Sequence, residues 1–294
     1  TKVFVKIVFN GRLHQCSLPS LQRREIAMLQ LLSPGLVAYI LGLTALLGLV
    51  MGSFLHCWAY RFARGESAVK GRSHCPSCGK ILGPAELIPV FSYIIQKGRC
   101  RSCGVRLSSR YLLAELLCGA YFASVVWRFD LTPEALKYLV SGTLLFCIAW
   151  VDWDIHEIPD RLVLGLLVNL AAFTVAAGGR VGENLLSGLV AGLSVSLPLF
   201  ILVVIMDRLT GRESMGGGDI KLLFAVGMYF SWQANLLLIL TACILGIILA
   251  PALRRNSPDA DDPKAFPFGP AIVVSYWFVL LWSEPVTKWY GAFL

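Results

Sequence analysis

The chain has 294 residues, of which 56% are hydrophobic and only 15% charged, and its mean hydropathy is +0.69. A soluble domain carries roughly a quarter charged residues, so the composition excludes a soluble globular protein and points to a polytopic membrane protein. A net charge of +8 in such a chain reports topology and contact with lipid headgroups, not nucleic-acid binding.

Residues 1–33 differ from the remainder. Val3 to Phe9 followed by Asn10-Gly11 reads as a strand and turn, and a charged Arg23-Arg24-Glu25 comes later. Lacking an initiator Met and a signal-peptide pattern, the segment reads either as an extramembrane appendage or as foreign to the natural chain. Residues 34–60 form the first expected transmembrane helix, since Gly35 to Tyr60 carries no charge over a length that spans a bilayer. Residues 61–110 then hold ten Lys or Arg against Glu66 and Glu86, an excess that marks a cytoplasmic loop. Seven further apolar runs follow, at about 111–127, 136–152, 162–178, 185–206, 220–232, 236–253 and 266–282.

The predicted architecture is therefore all-α: about eight transmembrane helices, of which seven form a membrane core over 111–294, with a small cytoplasmic loop domain at 61–110. With that loop inside, alternation places 17 basic residues on inside connections and four outside. The five in the N-terminal segment fall outside, against the rule. The 220–232 run covers barely half a membrane thickness, and Pro198 and Pro251 interrupt others. Such irregularity is tolerated where it is buried in protein or lines a wet cavity. The Asn256 to Lys264 stretch reads as a mobile hinge, and no repeat of 20 to 50 residues is visible. Cys16, Cys57, Cys118, Cys147 and Cys243 read as small core residues.

The other four cysteines are grouped. Cys75-Pro76-Ser77-Cys78-Gly79 and Cys100-Arg101-Ser102-Cys103-Gly104 are two C-x-x-C-G knuckles. Four thiolates at this spacing can enclose a tetrahedral Zn²⁺ with no open position; the competing reading is a pair of disulfides. A closed site leaves no room for substrate, so its role would be to fold the loop.

Two acids carry the expected chemistry. Asp152 follows an uncharged stretch from Tyr138 to Val151, and Asp219 ends Gly216-Gly217-Gly218-Asp219. Two spans separate them, so both fall on the same side and can face each other. Two carboxylates a few ångströms apart cannot both ionise. The ionised one can take a proton from water while the protonated one polarises a peptide carbonyl, which is aspartic-protease chemistry. Gly216 and Gly218 would let a substrate approach closely. Bland readings compete: Asp219 as a helix N-terminal acid, Asp154 and Asp160 as solvated loop acids or a cap, and His156 as a loop residue. Glu115 lies inside an apolar run, costly enough to suggest function, though pairing with a loop Arg would also explain it.

In order and spacing, these elements resemble the bacterial type IV prepilin peptidases, G-x-G-D membrane aspartic peptidases. The resemblance runs from Gly35 to the end. It rests on Gly52-Ser53-Phe54-Leu55 with Arg61, the two knuckles, Arg110-Tyr111 with Glu115, Asp152 to Asp160, Gly216-x-Gly218-Asp219, and Pro267-Phe268-Gly269-Pro270. It implies Asp152 and Asp219 as the catalytic pair and Cys75, Cys78, Cys100 and Cys103 as zinc ligands. It further implies a multi-pass protein of the bacterial inner membrane, with its active site toward the cytoplasmic face. The implied substrates are the prepilins and pseudopilins of type IV pili and type II secretion. Cleavage follows a glycine at the end of a short basic leader, and S-adenosylmethionine-dependent methylation of the new N-terminus comes next. His56 stands where the family commonly has Asn. No G-x-G-x-x-G fingerprint is present, so the methyltransferase expectation comes wholly from the resemblance. Three alternatives remain at this point: a signal-peptide-peptidase-like intramembrane protease without methyltransferase activity, a proton-coupled transporter whose buried acids relay protons, and a binding or assembly component whose cysteine loop docks a partner while the aspartates are structural.

Overall fold

The structure is a computed structural model that describes residues 7–9, 12–14, 28–67, 71–211, 215–254 and 267–291. Cys16, Arg212, Ser214 and the Asn256 to Lys264 stretch lie outside the described residues. The N-terminal strand expectation corresponds to β1 (Ile7–Phe9) paired antiparallel with β2 (Arg12–His14), Phe9 opposite Arg12. The rest of the described chain is helical or loop.

A short α1 (Met28–Leu31) precedes α2 (Pro34–Phe62), which starts on a proline at its first position, where the missing N–H costs nothing. The cysteine loop follows, with a single 3₁₀ turn at Pro84–Glu86 and a short α3 (Phe91–Ile95). Then come α4 (Ser109–Phe129), α5 (Pro133–Ile155), α6 (Asp160–Ala177), α7 (Val181–Thr210), α8 (Gly217–Gly227), α9 (Trp232–Arg254) and α10 (Gly269–Gly291). Seven of these are long and apolar enough to cross a membrane. The remaining apolar run, 220–232, falls on α8, whose 11 residues rise only about 16 Å.

Local chemistry sets the boundaries. The Ser108 hydroxyl accepts the Arg110 N–H, and the Thr132 hydroxyl accepts the Ala135 N–H, capping α4 and α5. The α5 helix ends on His156 in the left-handed region, φ 54°.

Small residues let the helices approach. A Cβ on Gly48 would sit 2.6 Å from the Cys118 carbonyl oxygen, and one on Gly52 2.7 Å from that of Ala114. The Gly-x-x-x-Gly face of α2 thus lies directly on the backbone of α4, while Leu43, Leu46, Leu47 and Val50 of α2 are exposed, as lipid contact requires. Polar side chains tie the interior. Tyr276 and Ser141 share a 2.7 Å hydrogen bond, Trp277 Nε1 donates to Ser124, and Asn169 Nδ2 donates to Tyr229 and to the Lys137 carbonyl. The largest core cluster, which includes Tyr121, Leu145, Ile148, Leu166, Leu222 and Ile272, runs through α4, α5, α6, α8 and α10.

Candidate active site

The cysteine loop is built from one backbone pattern used twice. Cys75 N–H bonds Lys80 O and Gly79 N–H bonds Cys75 O; Cys100 N–H bonds Val105 O and Gly104 N–H bonds Cys100 O. Gly79 and Gly104 both have φ near 69°, a left-handed turn that glycine enters without strain. This local repeat is visible in the sequence too, where Ser77, Gly79 and Leu82 recur as Ser102, Gly104 and Leu107 around the cysteines.

The turns bring the Sγ atoms of Cys75, Cys78, Cys100 and Cys103 within 4.8 Å of one another, Cys75 and Cys103 being 3.9 Å apart. A tetrahedral Zn–S bond of about 2.3 Å sets sulfurs roughly 3.8 Å apart, so the donors fit a metal ion. All four are free thiols, not disulfides. Backbone N–H groups of Cys103 and Ser102 hold the Cys100 thiol down to about 6. Its neighbour Cys103 moves the other way, to about 11: the Val105 N–H pulls it down, but desolvation and the adjacent sulfurs prevail. Four crowded sulfurs cannot all carry charge unless a cation sits among them, and a divalent metal removes that conflict.

Asp152 lies one turn before the end of α5 and is only 4% exposed. Its Oδ2 accepts the Gly269 N–H at 2.7 Å, at the start of α10. Asp219 is the third residue of α8, where the helix N-terminus favours a carboxylate. Its Oδ1 is buried without a hydrogen-bond donor among the described residues. The two acids are close enough for the charge on Asp152 to act on Asp219. They come from the C-terminal end of one helix and the N-terminal end of another, at the end of the bundle that also carries the cysteine loop. Arg110, at the exit of that loop, pairs with Asp154 of α5 at 2.9 Å.

The remaining expected residues divide. A Cβ on Gly218 would come 3.1 Å from Ile158, so that glycine is needed for α8 to meet the α5–α6 connection; Gly216 is the N-cap, beside Asp219. Asp160 opens α6 and holds Lys221 at 3.0 Å in an exposed pair, the solvated-acid reading. Glu115 is away from the two aspartates: it is buried and accepts the Val90 N–H at 2.7 Å from the loop. His56 packs on Tyr111 and Trp150, ring centroids 4.5 and 4.9 Å away. Gly269 is the residue whose part the sequence leaves hidden. Its signal is Pro267-Phe268-Gly269-Pro270, a turn entering a helix, and only the fold shows that its N–H reaches a carboxylate 117 residues earlier.

Residues 46–129 match the Bacterial Peptidase A24 N-terminal domain, and residues 139–250 match the Type IV leader peptidase family. The prepilin leader peptidase/N-methyltransferase of Aeromonas salmonicida is 36% identical over 223 residues, 74% of each chain. The chain belongs to the type IV leader peptidase family. Further members bearing the same name are 32% identical in Pseudomonas putida, over 85% of this chain and 93% of the relative, and 30% identical in Neisseria gonorrhoeae, over 88% and 95%. No solved structure matches. In family terms, the N-terminal domain match contains α4 and the cysteine loop, and the peptidase match contains both aspartates.

Proposed function

We propose that this chain is an aspartic endopeptidase of the bacterial inner membrane. It removes the short basic leader of prepilins and pseudopilins after a glycine, then N-methylates the new N-terminal residue. What supports the peptidase reading is that Asp152 and Asp219 lie at one end of the bundle, near enough for the charge of one to act on the other, with Gly269 N–H orienting the first. Of two such carboxylates, one holds a proton. The ionised one takes a proton from a water placed between them, and the other donates to the scissile carbonyl oxygen. The resulting hydroxide forms a tetrahedral centre that collapses as the leaving amine is protonated.

The relay reading fares less well. Asp130, the buried acid at the opposite end of α4, is occupied in accepting the Leu29 and Leu131 N–H groups, so it serves as a cap. The basic excess of loop 61–110 supports a site on the cytoplasmic face, where a leader is available and the following apolar segment already lies in the bilayer. Cys75, Cys78, Cys100 and Cys103 hold one structural Zn²⁺, which folds a loop with little core of its own. S-adenosylmethionine supplies an electrophilic methyl group when bound; the chain's task is to hold it beside the freed amine.

The test is cleavage of a peptide with a basic leader, a Gly-Phe junction and an apolar tail. Asp152→Asn and Asp219→Asn should each abolish cleavage while leaving metal content and thermal unfolding unchanged. Full activity in either purified variant would remove that residue from the mechanism.

A further inference from the structure

Between the cysteine loop and helices α2 and α4 lies a cavity of about 140 Å³, separate from the aspartate pair. Two of its walls are charged and buried: Arg61, 8% exposed, near the end of α2, and Glu115, 7% exposed, in α4. Among the described residues Arg61 makes no ion pair, and Glu115 receives only the Val90 N–H. The two share the cavity without meeting. A buried charge without a partner is expensive, and removing one member of a satisfied set costs several kcal/mol. An isolated carboxylate ligand would answer only Arg61, and an amine only Glu115. An α-amino acid answers both, since it carries a carboxylate and an ammonium on one carbon.

The rest of the lining narrows the ligand further. Tyr93 and Tyr111 border the same space, and aromatic rings attract cations such as a sulfonium through their electron-rich faces; the ring of Tyr60, also in the wall, already carries the Arg64 guanidinium 3.5 Å from its centroid. A ligand with an α-amino-acid end and a sulfonium next to it is the methyl donor. We propose that this cavity binds S-adenosylmethionine, with Arg61 taking its carboxylate and Glu115 its ammonium. The assignment rests on the methyltransferase part of the function proposed above. It also explains the domain arrangement. Tyr111 packs on His56, His56 on Trp150, and Trp150 stacks on Trp153 beside Asp152. A row of packed rings therefore runs from the cavity wall to the end of α5 that carries Asp152.

The experiment measures binding of S-adenosylhomocysteine, the stable product form, to the detergent-solubilised full chain by calorimetry. It is run beside the analogue lacking the carboxylate, with methionine alone and adenosine alone as further arms. Wild type should bind the complete molecule, and loss of the ligand carboxylate should cost roughly ten- to a hundredfold. Arg61→Met should lose a similar factor toward the complete molecule and show no further loss toward the decarboxylated one; Arg61→Lys should recover part of it. Equal affinity of wild type and Arg61→Met, or an equal loss toward both ligands, overturns the assignment. Metal content reports whether the Arg61 variant is folded. If it is not, Glu115→Gln carries the same test against the analogue lacking the amine. Wild type that methylates substrate while these variants bind normally places the donor elsewhere; wild type that neither methylates nor binds refutes the methyltransferase reading itself.

Discussion

Gly269→Ala is the sharpest probe of the aspartate geometry. Gly269 does not occupy the left-handed region, so alanine suits its backbone, and alanine is the better helix former by up to about 1 kcal/mol. The added Cβ, however, would sit 2.7 Å from Asp152 Oδ2 and 3.1 Å from its Cγ, whereas ordinary contact begins at 3.4 Å. Asp152 is held in a buried turn of α5, so its carboxylate has to retreat by about 0.7 Å. A displacement approaching 1 Å at a reacting group costs on the order of a hundredfold. Helix preference and crowding oppose each other, leaving stability within about 2 kcal/mol of wild type. Steady-state cleavage of the leader peptide should therefore show kcat reduced by about a hundredfold and KM changed by less than roughly threefold. A Gly269→Ala enzyme retaining more than about a third of wild-type kcat would refute the claim that the Asp152 carboxylate needs the space a side-chain-free residue leaves at this position.

Other outcomes follow from the packing and the loop. Replacing Cys75 and Cys100 with Ser should lower the metal content from one zinc per chain to none, read by mass spectrometry of the purified protein, and expose the loop to protease. Because the thiols bind metal as thiolates and protons compete for them, the metal content should fall as the pH is lowered; a metal content independent of acidification would count against the four-thiolate site. Gly52→Ala puts a Cβ 2.7 Å from the Ala114 carbonyl oxygen, and neither backbone can yield cheaply. The cost should be about 1–3 kcal/mol, seen as a lower unfolding temperature in detergent.

Much of this protein can be read from the chain itself. Uncharged runs locate the long helices because a bilayer penalises any exposed charge, and Ser108 and Thr132 mark helix starts through their own hydroxyls. The cysteine cluster is legible because its ligands sit in two short local turns. That Asp152 and Asp219 fall at the same end of the bundle follows from alternation, since two spans return the chain to one side. What stays hidden depends on contacts between distant segments. Nothing near Arg61 announces that Glu115 shares its cavity, and nothing near Asp130 announces that it caps Leu29. Glu115 receives a loop backbone N–H where a loop arginine was the competing expectation, because Val90 turns its amide inward. Such partners are fixed by the crossing of helices, a property that periodicity does not encode.

The short α8 has a consequence for the surrounding lipid. Its C-terminal end meets Gly188 and Gly192, two to three turns inside α7, and Asn235 donates to the Gly227 carbonyl where the chain turns into α9. The polar groups at that end are thus answered inside the protein, among buried residues of α8 and its neighbours, and no open backbone there is left to the acyl chains.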